Sequence, residues 1–276
     1  MNSTLFSLAF SSIIGSTAST VVVPAMDQSE WQVSGNQFQC RMQQQLGSMA
    51  TLSFSQEPAK ALELLLEMDS KHLQLQDVQG RLIPADWQPG QLAPAVQLSA
   101  SEISQSQARF VEQVPVALQQ LQQGYWLELW LDLPGQELSL RVPNLKSAAA
   151  LTEFQHCTTS LLPMSWQQAR DYQLSYVPGE RQPNAAGLEH LQLLARYIKE
   201  DKAVRKVLID GHSDDAGTSL ANRLVSGERA DEVAARLIEW GVPKKQLEIR
   251  AHGNRYPLAR NQSNNRVILR LIRSAG

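Results

Sequence analysis

The densest grouping of chemistry-bearing side chains in this 276-residue chain runs from Leu208 to Ala230. It passes through Gly211-His212-Ser213-Asp214-Asp215 and on to Asn222, Ser226 and Arg229. Val204, Val207, Leu208 and Ile209 form an apolar, largely β-branched run that Gly211 ends, which is the pattern of a buried strand. Residues 211–217 are types that hydrogen-bond their own backbone or tolerate positive φ, so a tight turn is expected there. The helix that follows puts Asn222, Ser226 and Arg229 at i, i+4 and i+7, on one face. This arrangement places the Asp214 carboxylate and the Arg229 guanidinium at opposite ends of one shallow site. An anion beside a bidentate cation suits a zwitterion, whose amine would meet Asp214 and whose carboxylate would meet Arg229. Taken singly, each residue has a plainer role, Asp214 as a helix N-cap and Arg229 as a solvated charge. Gly227, in mid-helix, costs about 1 kcal/mol against Ala and has no role that the sequence supplies.

The same stretch allows an enzymatic alternative. His212, Asp214, Asp215 and His252 together contain the residue types of a metal-dependent hydrolase. The spacing speaks against it, because His252 lies forty residues beyond His212 and Asp214 would have to leave Arg229. His72 and His156 stand apart from partner carboxylates at ligand spacing. A non-enzymatic binding protein with no metal or cofactor is therefore expected.

Elements that could hold the site follow in a β-α-β-α-β-β order. Tyr172–Val177 reads as a strand, and Pro178-Gly179 breaks it. Asn184–Lys202 is an amphipathic helix with Leu188, Leu191, Leu194, Ala195 and Ile198 inward. Val204–Gly211 is the next strand, and Thr218–Trp240 is a long helix ended by Gly241 and Pro243. Leu247–Ala251 and Val267–Ile272 complete a mixed four-stranded sheet with both helices on one face.

Gly211-His212-Ser213-Asp214 followed by Asn222, Ser226, Arg229 and Ala230 resembles the signature of the OmpA-like peptidoglycan-binding family. That signature is Gly-His-Thr-Asp, a short turn, then Asn-x-x-Leu-Ser-x-x-Arg-Ala. The likeness extends to Gly253, Pro257 and Asn261 and to a closing Asn265-Arg266-Val267, over about residues 170–273. It implies that Asp214 takes the amine and Arg229 a carboxylate of diaminopimelate in the murein stem peptide, with Ser213, Asn222, Ser226 and Arg266 around them. Three departures stand out. Ala251 and His252 replace a Gly-aromatic pair, Asn265 replaces an Arg, and the loop after Asn261 is several residues short. A weaker or activatable murein site is the expected consequence.

The first half carries a different balance. Residues 1–160 hold 7 Lys and Arg against 14 Asp and Glu, a balance of −7, whereas residues 161–276 hold 18 against 13, a balance of +5. With 43% hydrophobic and 19% charged residues the chain has the composition of folded domains. The basic residues show no interleaving with aromatics, so nucleic acid is not expected as a partner. Leu5–Ile14 is apolar and followed by Ser16-Thr17-Ala18, so residues 1–18 read as an export signal without its positive start, or as a buried first strand. It is too short to span a bilayer. Cys40 and Cys157 read as one disulfide in an oxidising compartment, or as two buried thiols. Residues 19–162 are expected as a mostly antiparallel β domain with two helices, and 163–276 as the second domain, an α+β chain overall. Period-two strands are expected at Trp31–Val33, Phe38–Met42, Thr51–Phe54 and Leu73–Gln76, and another strand at Ala61–Met68. Helices are expected at Ser101–Gln123, kinked at Pro115, and at Asn144–Leu161, capped by Asn144. A hairpin is expected around Pro134-Gly135.

Ser29-Glu30-Trp31 ahead of Cys40, and Cys157 ahead of the second domain, make nearly the whole mature chain resemble a family of periplasmic proteins of sodium-driven flagellar motors. That likeness implies a tether, with peptidoglycan held by the C-terminal domain and flagellar basal body ring and stator proteins held by the N-terminal one. A general cell-envelope tether unrelated to motility is the alternative within the binding class.

Overall fold

Alternation of buried and exposed side chains sets the strands of the first half. In β3 (Gln39–Leu46) Cys40, Met42, Gln44 and Leu46 point inward, and in β5 (Glu63–Met68) Leu64, Leu66 and Met68 do the same. Each sheet thus buries one face, as antiparallel sheets commonly do. The computed structural model describes residues 20–24, 29–70, 74–85, 96–259 and 262–274. The export signal expected over residues 1–18, together with His72 and Asn261, lies outside the described residues.

The chain is α+β and divides into two compact units. The first comprises Met1–Ser34, Arg41–Gln56 and Ala61–His156, and the second Gly35–Cys40, Glu57–Lys60 and Cys157–Gly276. One sheet has the order β1 (Thr20–Val22), β11 (Gln136–Val142), β10 (Trp126–Leu133), β6 (Asp77–Ile83), β7 (Gln97–Ser99). In it β1 runs parallel to β11, and the other pairs are antiparallel. The other sheet has the order β2 (Trp31–Asn36), β3, β4 (Ala50–Gln56), β5, β9 (Gln107–Phe110), β8 (Glu102–Ile103). The hairpin β10–β11 turns at Pro134-Gly135, with Gly135 at φ 80.

Three expectations for this half need correction. The helix expected over Ser101–Gln123 shrinks to α1 (Val114–Gln122), because Ala108 and Phe110 alternate with Gln107 and Arg109 and form a strand. Pro115 sits in the first turn of α1 and does not kink a longer helix; its fixed φ and missing N–H suit that position. The second helix is α2 (Ser147–Ser160), and Asn144 does not cap it. Its side-chain amide donates instead to the Leu121 carbonyl near the end of α1. Of the strand expected at Leu73–Gln76, Leu73 lies outside the described residues and 74–76 are not in a strand; β6 starts at Asp77, where Val78, Gly80 and Leu82 alternate inward.

In the second unit a short helix, α3 (Trp166–Arg170), starts on a capping box made by Ser165 and Gln168. Then come β12 (Asp171–Ser175), α4 (Ala185–Glu200), β13 (Val204–His212), α5 (Ser219–Glu239), β14 (Leu247–Gly253) and β15 (Arg266–Arg273). The sheet order is β12-β15-β13-β14, with β13 and β14 parallel and the remaining pairs antiparallel. Asn184 and Thr218 cap α4 and α5 through their side-chain oxygens. Leu191, Leu194 and Ile198 of α4 and Ala230, Val233 and Leu237 of α5 join Val207, Ile209 and Leu269 of the sheet in one core.

Gly211 lets α5 lie directly on β13. A Cβ there would stand 2.0 Å from the Ser226 carbonyl oxygen. Gly227, by contrast, faces only Ala251 at an ordinary 3.5 Å. Cys40 and Cys157 form a disulfide with their Cα atoms 5.9 Å apart. Gly35 is packed against it, since a Cβ there would come within 2.5 Å of the Cys157 Sγ.

Candidate functional site

Four segments converge where β13 ends. The turn after β13 carries Ser213 and Asp214, and α5 carries Asn222, Ser226 and Arg229. The approach to β15 supplies Ser263, Asn264, Asn265 and Arg266, and the chain beyond β12 supplies Tyr176 and the Glu180 carbonyl.

Arg229 is 1% exposed, so it is not an open end of a shallow site as its helical spacing alone implies. Its Nε donates to the Glu180 carbonyl at 2.9 Å, and its Nη1 to Asn265 Oδ1 at 2.7 Å and the His212 carbonyl at 3.5 Å. The guanidinium carbon lies 4.9 Å from the centre of the Tyr176 ring. Burial pulls the guanidinium below its ordinary pKa, with Tyr176 and Asp214 opposing that pull and Arg181 adding to it. Burial likewise raises the Tyr176 hydroxyl far above its usual range. Buried charge is costly unless its donors are occupied. Nη2 makes no hydrogen bond among the described residues.

Asp214 is half-buried, and donors surround it. Its carboxylate accepts from the Asn264 backbone N–H at 2.5 Å, from Ser263 Oγ at 3.3 Å, and from the Asn265 side-chain amide. An ionised carboxylate has about four lone-pair positions, so it retains capacity for one further donor. Asn265 therefore stands between the two charges, donating to Asp214 through Nδ2 and accepting from Arg229 through Oδ1.

The other expected site residues lie in the frame. Ser213 donates to the Asn222 carbonyl at 3.1 Å, and Asn222 donates to the Gly217 carbonyl at 3.1 Å. Ser226 is fully buried, donating to the Arg223 carbonyl and accepting from the Gly253 N–H. Arg266 donates to Asn264 Oδ1 and to the Tyr256 carbonyl, and Asn264 in turn donates to the Ser213 carbonyl. Asn264, Ser263 and Tyr176 were not singled out by motif. The run of short polar side chains before β15 was the available signal.

The residues of the hydrolase alternative are arranged otherwise. The His212 and His252 rings stack with centroids 5.0 Å apart, and Tyr256 meets both edge-on. His252 Nε2 is 2.8 Å from Asp210 Oδ1, and Asp215 accepts from Asn254. Burial, then the nearby charges of Arg266 and His252, push His212 down to about 4 against an opposing pull from Asp210. Among the described residues no three His, Cys, Asp or Glu side chains are grouped to hold a metal ion.

Comparison with known proteins adds sequence kinship. Residues 176–268 match the OmpA family. The peptidoglycan-associated lipoprotein of Buchnera aphidicola is 30% identical over 91 residues, covering 33% of this chain and 52% of that protein. The outer-membrane lipoprotein YfiB of Pseudomonas aeruginosa is 37% identical over 60 residues, covering 22% and 36% respectively. The chain thus spans about half or less of the length of these relatives. The crystal structure of the peptidoglycan-associated lipoprotein of Burkholderia pseudomallei is 26% identical over 36% of this chain and 89% of that one, with a TM-score of 0.34. Residues 23–163, just over half of the sequence, match the MotY N-terminal domain, and the chain belongs to that family.

Proposed function

We propose that the chain is a non-enzymatic periplasmic tether that binds peptidoglycan through Asp214 and Arg229. The diaminopimelate of the stem peptide presents an amine and a carboxylate on one carbon, which fits a carboxylate and a guanidinium held on either side of Asn265. The observation that carries this reading is the pair of unfilled capacities, one on the Asp214 carboxylate and the other on Arg229 Nη2. Ser213, Asn222, Ser226 and Arg266 serve it by fixing the turn, α5 and the β15 approach.

Residues 163–276 would be the wall-binding domain, and residues 19–162 would hold flagellar basal body ring and stator proteins, associating the chain with the basal body. Membership of the MotY N-terminal domain family supports the motor side, and the OmpA family match supports the wall side.

Co-sedimentation with insoluble murein sacculi tests the site. Wild type is expected to pellet, and Asp214→Asn and Arg229→Ala to stay in solution while keeping the wild-type circular dichroism spectrum. Equal pelleting of all three proteins would place murein binding elsewhere.

A further inference from the structure

The end of the second unit's sheet away from Asp214 carries a second, unassigned surface. β13 begins there at Val204 and reaches His212 eight residues later, which puts about 26 Å between the two ends. Around Val204 lie two adjoining recesses of about 380 and 400 Å³ that share Lys199. The first is walled by Arg196 and the half-buried Trp240, and the second by Lys202, Arg205 and Gly241. Lys244 and Lys245 stand exposed on the single 3₁₀ turn next to them. Gly241, at φ 91, ends α5 and leaves Trp240 at the rim.

Cations outnumber free acids here, with Glu200 at the end of α4 the one neighbouring carboxylate outside any ion pair among the described residues. Among the described residues none of Arg196, Lys199, Lys202, Arg205, Lys244 and Lys245 is in an ion pair. The neighbouring acids Asp201, Glu239 and Glu248 are engaged by Arg273, Arg236 and Lys206. Six cations outside any ion pair, of which Lys202 donates to the Lys199 carbonyl, outnumber the lone Glu200 carboxylate and repel one another unless an anionic surface faces them. A half-buried indole flanked by long cationic side chains is the complement of a phospholipid headgroup layer, where the ring sits at the interface and the cations meet phosphates.

We propose that this pole is a docking surface for an anionic phospholipid membrane, with Trp240 as the interfacial ring and Arg196, Lys199, Lys202, Arg205, Lys244 and Lys245 as the phosphate-facing charges. A domain built this way engages the wall at one end of β13 and a lipid surface at the other.

The test is co-sedimentation of the purified chain with vesicles of phosphatidylglycerol in phosphatidylcholine, beside vesicles of phosphatidylcholine alone. Wild type is expected on the first vesicles only, with binding that weakens as salt rises. Arg196→Glu with Lys199→Glu should lower that binding more than about tenfold. Lys244→Glu with Lys245→Glu, both at exposed positions, should lower it in the same direction. Pelleting with murein sacculi at the wild-type level shows that each variant is folded and keeps this outcome separate from that of the wall site. Absence of wild-type binding to the anionic vesicles, equal binding to neutral ones, or unchanged binding by both charge-reversal variants overturns the proposal, and a partner other than lipid would then have to meet these cations.

Discussion

The Asn265 side chain donates to Asp214 and accepts from Arg229, so its removal leaves a half-buried carboxylate and a fully buried guanidinium each short of a partner. Asn265→Ala is expected to lower unfolding free energy by about 1–3 kcal/mol, read from the urea midpoint. A midpoint unchanged from wild type would remove the bridge from the account. His212 supplies a pH-dependent prediction. Its folded pKa, about 4, lies below the ordinary 6.5, so the unfolded chain binds the proton more readily. The stability it contributes is fully present above about 6.5 and is lost as pH falls toward about 4. Asp210, held below its usual range because hydrogen bonds from His252 and Arg250 outweigh its burial, adds a loss of the same sign at the acid end. Comparing wild type with His212→Gln isolates the imidazole: the variant's urea midpoint should fall less steeply across that window, and parallel curves would rule the imidazole out. Residue types and helical spacing made Asp214 and Arg229 legible in the sequence. The role of Asn265 was not, because its partners lie 36 and 51 residues away and only the fold brings them together.

Among the elements, the fit of α5 on β13 depends on the missing side chain at Gly211. Gly211→Ala would drive a methyl group into the Ser226 carbonyl, and separating strand and helix to relieve it should cost about 1–3 kcal/mol. A melting temperature within a degree or so of wild type would show that the contact is slack. Apart from the short α3, which was not expected, the second unit was legible because Val204–Gly211 and Val267–Ile272 are largely apolar and α4 and α5 start on the caps Asn184 and Thr218. The stretch from Ser101 to Gln123 was not. Ile103, Phe110 and Val114 fall at helical intervals, yet Ala108 and Phe110 pair with β5 instead, and sheet pairing between distant segments overrides a local period. Asn144 shows the same limit, since a cap residue is recognisable by type while its use for a distant carbonyl is not.

On the scale of the whole molecule, the Cys40–Cys157 bridge closes a loop with a sequence separation of 117. Chain entropy assigns such a closure about 4–5 kcal/mol. Cys40→Ser should therefore lower the melting temperature under oxidising conditions, and the wild-type protein should fall to the same value once reduced. Identical melting of oxidised wild type and variant would show that the cross-link contributes nothing. The cysteine pair was legible from count and spacing, and so was the charge contrast between the halves. The gathering of free cations at one pole was not, because Arg196, Lys199, Lys202 and Arg205 meet Lys244 and Lys245 only when α4 and the turn after α5 come together at the start of β13. The placement of Asp214 just beyond the end of β13 bears on mechanics. A load applied at that carboxylate runs along the strand axis, while the hydrogen bonds to β14 and β15 lie across it. Both ladders are then strained in shear, so many bonds must yield at once, whereas peeling from an edge would break them one by one. β13, paired on both sides within the sheet, is thus the line along which this fold can carry tension.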